Sequence, residues 1–367
     1  MRKIFCLFFV LYSLIPVQVC AYGIDDVLDN EMRYDIENSF ELSGVELDVL
    51  EVIDKLNNGD FDINFKNVGT YIKNTYDDLL KENIGFGITA FVLIMLASMI
   101  ENMNQSFNEN RTVNLIVVAV VVLFLIVVVD NVSEYSLQLI DNLILFINSL
   151  TPTLMLLLAT SGKTGTAGVL NPVMIGVSSV IVLFVKNFVV PLNTISLVLK
   201  LTGCVTEKNH LTNFGNQIQK FIKWSLGFVF TIYVGIIGVV GVAAPKVDDI
   251  TVKTAKYAVS NFIPYVGGMV ADSVDLMLNC SSVVKNSVGI AGLVGILFIA
   301  VTPCLKILIK LIIINILGFF VSPVAGKTVI EVINSISSSI GILFAMNIVV
   351  SIMYIISVTV IIYIGGA

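Results

Sequence analysis

The chain has 367 residues, of which 56% are hydrophobic and only 13% charged, with a formal net charge of -6. A water-soluble fold of this size needs enough polar side chains to cover its exterior, whereas a helix bundle in lipid accepts apolar residues on its outside. Composition therefore excludes an ordinary soluble enzyme or nucleic-acid-binding domain and predicts an all-α, polytopic helical membrane protein.

The charges are segregated. Arg2 and Lys3 precede an apolar run from Ile4 to Val17, and Val19-Cys20-Ala21 supplies small residues of the kind a signal peptidase reads. Residues 1–21 are predicted to be a cleavable signal peptide; a retained signal anchor is the alternative. Residues 22–83 carry sixteen acidic and five basic side chains and form an acidic extracytoplasmic region. Two amphipathic helices are expected in it, one from Val45 to Leu56 with Ser43 as its cap, the other through Val68, Ile72, Tyr76 and Leu79. The run from Asp25 to Glu37 reads as a solvated lead-in.

Residues 84–367 form the polytopic membrane domain. Ile84–Ile100 and Val113–Val129 are the first spans, followed by a polar segment, Asp130–Asn142, and a third span, Leu143–Ala159, containing Pro152. With the acidic region outside, Arg111 and Lys163 fall inside and Asp130 outside. Val169–Val185 spans again, and Phe188–Gly203, with Pro191 and Asn193, is expected to be tilted or re-entrant. The stretch Lys200–Lys223 holds Lys200, Lys208, Lys220 and Lys223 against Glu207 and reads as a cytoplasmic basic loop before a span beginning at Trp224. In that span Gly235, Gly238 and Gly241 recur every third residue, and a near copy follows as Gly289, Gly292 and Gly295; both stripes are candidates for close helix packing.

The apolar stretch covering residues 287–325 is too long for one ordinary span, and a hairpin turning near Pro303 to Lys306 is expected. Lys306 and Lys310 stand one helical turn apart, and two readings fit them: snorkelling to an interface, or facing a polar interior as pathway residues. Ile340–Ile364 is the last span, for a total of about eight, within a range of seven to nine. The region Tyr257–Lys285 differs from a simple span. It is broken by Pro264, Gly267 and Gly268, with Asp272 and Asp275 sharing a helical face and Lys285 beyond them. It reads either as a pathway or assembly element or as an interfacial helix in headgroups and water.

No catalytic, cofactor or metal site is read. Ser161-Gly162-Lys163-Thr164-Gly165 lacks the first glycine of a phosphate loop, His210 stands without a ligand cluster, and Cys6, Cys20, Cys204, Cys280 and Cys304 show no metal-binding spacing.

Thr254-Ala255-Lys256, Phe262-Ile263-Pro264, Val266-Gly267-Gly268, Asp272 with Asp275, Asn279-Cys280-Ser281 and Lys285-Asn286 before Val288-Gly289 together carry a resemblance. With the signal, acidic region and apolar body in that order, the whole chain resembles the stage III sporulation protein AE family of endospore-forming bacteria. One departure is Leu278-Asn279-Cys280, where the family often has a central glycine. The resemblance implies a membrane subunit of a secretion-like channel complex joining mother cell and forespore. It also implies a place in the outer forespore membrane, with the N-terminal region in the intermembrane space. The implied partners are the other stage III A operon membrane proteins, a cytoplasmic ATPase, ring-forming proteins and stage II sporulation protein Q, with no nucleic acid. Two roles fit: a permease-like conduit for small molecules, or a membrane scaffold. A homo-oligomer is compatible with either.

Overall fold

The computed structural model describes residues 65–107, 111–206, 209–245, 248 and 267–366, with no side-chain placement for 267–285. The signal, most of the acidic region and Pro264 lie outside the described residues. So do the side chains of Asp272, Asp275 and Lys285, although their backbone is helical.

The described chain is helical, as lipid demands, because a helix satisfies its backbone hydrogen bonds within one segment. The helices are α1 (Phe65–Phe107), α2 (Arg111–Thr160), α3 (Thr164–Phe184), α4 (Val190–Thr206), α5 (Asn209–Ala243), α6 (Gly267–Val321) and α7 (Lys327–Gly366). A π-helical turn, Val185–Val189, makes α3 and α4 one continuous rod. Six segments among the described residues are long and apolar enough to cross a membrane: Leu79–Glu101, Leu115–Thr160, Thr164–Thr206, Asn209–Ala243, Asn286–Val321 and Lys327–Ile364.

The expected count of about eight is not reproduced, and the difference has a local cause. Segments expected as pairs of spans are single rods. Asp130–Asn142 contains neither glycine nor proline, so nothing ends the helix, and α2 runs through it. Pro303 is likewise carried inside α6, without the hairpin expected there. The expected loop Lys200–Lys223 is also mostly helix: α4 continues to Thr206 and α5 starts at Asn209. Arg111 and Lys163, both expected inside, stand at opposite ends of the 50-residue α2.

At about 1.5 Å per residue the 46-residue apolar segment of α2 is about 69 Å long, over twice the roughly 30 Å hydrocarbon core of a bilayer. Its polar middle marks a waist. Asp141 pairs with Lys186 of the π-turn, Lys306 and Lys310 lie 5.1 and 4.9 Å from the centre of the Tyr135 ring, and Asn347 of α7 bonds Ser136. Beside Lys186 a row of rings runs from Phe184 through Phe188, Phe221 and Trp224 to Phe228, with neighbouring centroids 5.2 to 6.1 Å apart.

The rods pack up and down. Gln219 meets Ser338 and Tyr233 meets Ser357, so α5 and α7 run parallel, with α4 antiparallel to both. α7 is the central helix: half of its most apolar window is buried, against 17% for α5. The ends are tied by charge on backbone. The Asp248 carboxylate accepts N–H bonds from Gly165 and Thr166 at 2.7 and 2.8 Å, filling the N-terminal turn of α3 with negative charge. Lys163 Nζ donates to the Ile364 carbonyl at 2.6 Å, at the C-terminal end of α7. The connection between α2 and α3 turns through Gly162, whose φ of 81° suits glycine. At the other end of α7, buried Glu101 packs against Gly326, where any Cβ would collide with its carboxylate.

Candidate functional site: a buried polar thread along α7

An apolar bundle places polar side chains inside only where each finds a partner, and in membranes such residues mark function more often than stability. α7 carries a series of them. Ser335, Ser339, Asn347, Ser351 and Ser357 are all buried, and Ser338 joins them at the edge. From Ser335 to Ser357 the helix rises about 33 Å, close to the roughly 30 Å apolar thickness of a bilayer.

The first rung lies among α4, α5 and α7. Lys200 Nζ donates to Gln219 Oε1 at 3.0 Å, and the Ser338 hydroxyl donates to the same oxygen at 2.6 Å. Lys200 is 5% exposed and Gln219 4%. Because a lysine only donates, Oε1 is the end of the amide that faces it. Nε2 then points elsewhere, buried and without a partner. At the next residue of α7, Asn193 Nδ2 donates to Ser339 Oγ at 2.8 Å, and the Asn193 Oδ1 has no partner. About 12 Å along α7, Asn347 Nδ2 donates to Ser136 Oγ of α2 at 3.0 Å. The last rung joins the Tyr233 hydroxyl of α5 to Ser357 Oγ and the Met353 carbonyl.

Two glycines let the first rung form. A Cβ on Gly215 would lie 2.5 Å from Lys200 Cγ and 2.8 Å from the Ser196 carbonyl, and one on Gly203 would lie 2.7 Å from the Thr212 nitrogen. The α4–α5 crossing is therefore closer than any larger residue permits, and Ser196 Oγ closes it with a 2.9 Å bond to the Gly215 carbonyl.

Of the residues singled out in the sequence, two stand at the level of the Asn347–Ser136 rung. Lys306 and Lys310 meet Tyr135 at the waist, where Lys310 also lines a cavity of about 180 Å³ with Phe86, Phe124, Val127, Val128 and Asn131. Gly289, Gly292 and Gly295 are buried, with Gly289 against Ile362 and Gly292 against Leu150. Gly241 faces Val360, whereas Gly235 and Gly238 are exposed, with nothing within 4 Å of an added Cβ. Gly267 and Gly268 are the first described residues of α6 and lie within the helix. The SGKTG run is the α2–α3 turn, and its helix N-terminus is occupied by Asp248.

Asn193, Ser196, Lys200 and Cys204 recur at helical spacing on one buried face of α4, a signal present in the sequence but hidden by reading Lys200 as the start of a loop.

Known proteins give this architecture a context. No solved structure matches the chain. Stage III sporulation protein AE of Bacillus subtilis (strain 168) is 31% identical over 302 residues, covering 81% of this chain and 76% of that protein. The family model described as stage III sporulation protein AE matches residues 47–365, so the chain belongs to the stage III sporulation protein AE family.

Proposed function

We propose that this chain is the membrane subunit of a secretion-like channel complex connecting mother cell and forespore, and that the polar thread along α7 is its permease-like route for small molecules. Family membership supports a role in sporulation. The observation that carries the finer reading is the buried Lys200–Gln219–Ser338 rung at one end of a series of polar residues as long as a bilayer is thick. On this reading the other stage III A operon membrane proteins, a cytoplasmic ATPase and stage II sporulation protein Q are its partners. Its membrane is the outer forespore membrane.

On this reading the end of the bundle that carries Arg111 and Lys327 faces the mother-cell cytoplasm. The acidic N-terminal region is then in the intermembrane space.

A scaffold role has its own supporting observation: Gly235 and Gly238 present an exposed, small-residue face on α5 suited to a partner helix. Sporulation and copurification of the complex separate the two readings. Lys200→Gln and Asn347→Leu are expected to abolish spore formation while the complex still copurifies. Normal sporulation in both variants, with loss of the complex in Gly238→Leu, favours the scaffold and defeats the conduit.

A further inference from the structure

We infer that Lys200 and Gln219 form a binding site for a small anion, a step that rests on reading the thread as the working part of the protein and names what it handles. The argument is a count of donors against acceptors. Lys200 brings three N–H groups and Gln219 two, and Ser338 already spends its own proton on Gln219 Oε1. Among the described residues the acceptor bonded to Lys200 is that same single oxygen. The Gln219 Nε2 is buried with no acceptor.

The charge balance points the same way. Among the described residues no carboxylate forms an ion pair with Lys200; its neighbour Cys204 is a buried thiol, and Lys223 adds positive charge. A buried cation against one neutral amide leaves most of its lost hydration uncompensated. A metal ion is repelled there, and a neutral acceptor leaves the charge standing. An anion that takes the spare ammonium and amide protons cancels both deficits.

The anion is small, because the Lys200 stem lies hard against the Gly215 backbone and Ser196 closes the crossing behind it. Ser338 is half-buried at the rim, between this pair and the surface. Chloride, inorganic phosphate and a short carboxylate share the chemistry required.

The test uses the full-length protein purified in a maltoside detergent, with thermal unfolding followed through Trp224 fluorescence. Sodium chloride, phosphate or acetate replaces sodium gluconate at constant ionic strength. At least one of the three is expected to raise Tm along a saturable curve with a half-point of roughly millimolar order, since a ligand that binds only the folded state stabilises it by mass action. The rise disappears in Lys200→Gln and persists in Lys200→Arg. Gln219→Leu keeps the charge and is expected to shift the half-point upward about tenfold, which tests the site even where Lys200→Gln does not fold. A Tm unmoved by all three anions, or an equal response in Lys200→Gln and Gln219→Leu, overturns the inference. Binding is read without passage across a membrane, so saturable binding combined with absent flux upholds this site and removes the conduit.

Discussion

Gly215→Ala tests whether the first rung of the thread depends on the close crossing of α4 and α5. The added Cβ would lie 2.5 Å from Lys200 Cγ, 2.8 Å from the Ser196 carbonyl and 3.3 Å from Lys200 Cδ, against an ordinary carbon contact of about 3.5 to 4.0 Å. Relief requires the helices to part by about 1 Å, because a carbonyl of the facing helix cannot swing aside as a side-chain tip can. That parting stretches the 2.9 Å Ser196–Gly215 bond and the 3.0 Å Lys200–Gln219 bond together. Overpacking of this kind costs about 1 to 3 kcal/mol, and the helix propensity gained from Gly to Ala, about 1 kcal/mol at most, offsets only part of it. Thermal unfolding in detergent, followed through the chain's one tryptophan, measures the difference. Gly238→Ala is the control, since its Cβ meets nothing within 4 Å and keeps only the propensity gain. The reasoning predicts a lower Tm for Gly215→Ala and an unchanged or slightly higher one for Gly238→Ala. Equal melting of the two variants would refute it.

Asp248→Ala removes the carboxylate that accepts from Gly165 and Thr166, and is expected to lower stability by about 1 to 2 kcal/mol, as loss of a helix N-cap does. Denaturant titration of the detergent-purified protein checks this, with Asp248→Asn expected to recover part of the loss because an amide oxygen still accepts. Tyr233→Phe deletes the hydroxyl that joins α5 to Ser357 and is expected to cost about 1 kcal/mol in the same titration. Trp224, 62% exposed, stands on α5 between the Gln219 and Tyr233 rungs, near the middle of the thread, and is expected to be quenched most by lipids brominated near the bilayer centre. Stronger quenching by bromines near the headgroup would put an interface at mid-thread and contradict a thread that crosses the bilayer.

The membrane class is legible because composition alone forbids a soluble exterior. Span boundaries are less so, since hydropathy reports where polar residues occur and not whether the backbone turns there. Asp130–Asn142 reads as a loop and is the middle of α2, for want of any residue that stops a helix. The two glycine tracts, VGIIGVVG and VGIAGLVG, are nearly the same sequence, yet the second is packed against Leu150 and Ile362 while Gly235 and Gly238 of the first face outward. Which way a face turns is decided by partners distant along the chain. Lys200 is hard to place for the same reason: a lysine at the end of an apolar run reads as an exit from the membrane, and only the α4–α5–α7 junction makes it an interior cation.

The claim that the thread along α7 is a route across the membrane is tested most directly by tracer flux through liposomes containing the purified chain and its complex partners. The account predicts measurable passage of small solutes that falls at least tenfold in Lys200→Gln and in Asn347→Leu and is unchanged in Gly238→Ala. Flux that persists undiminished in both thread variants, with protein incorporation equal, would contradict it.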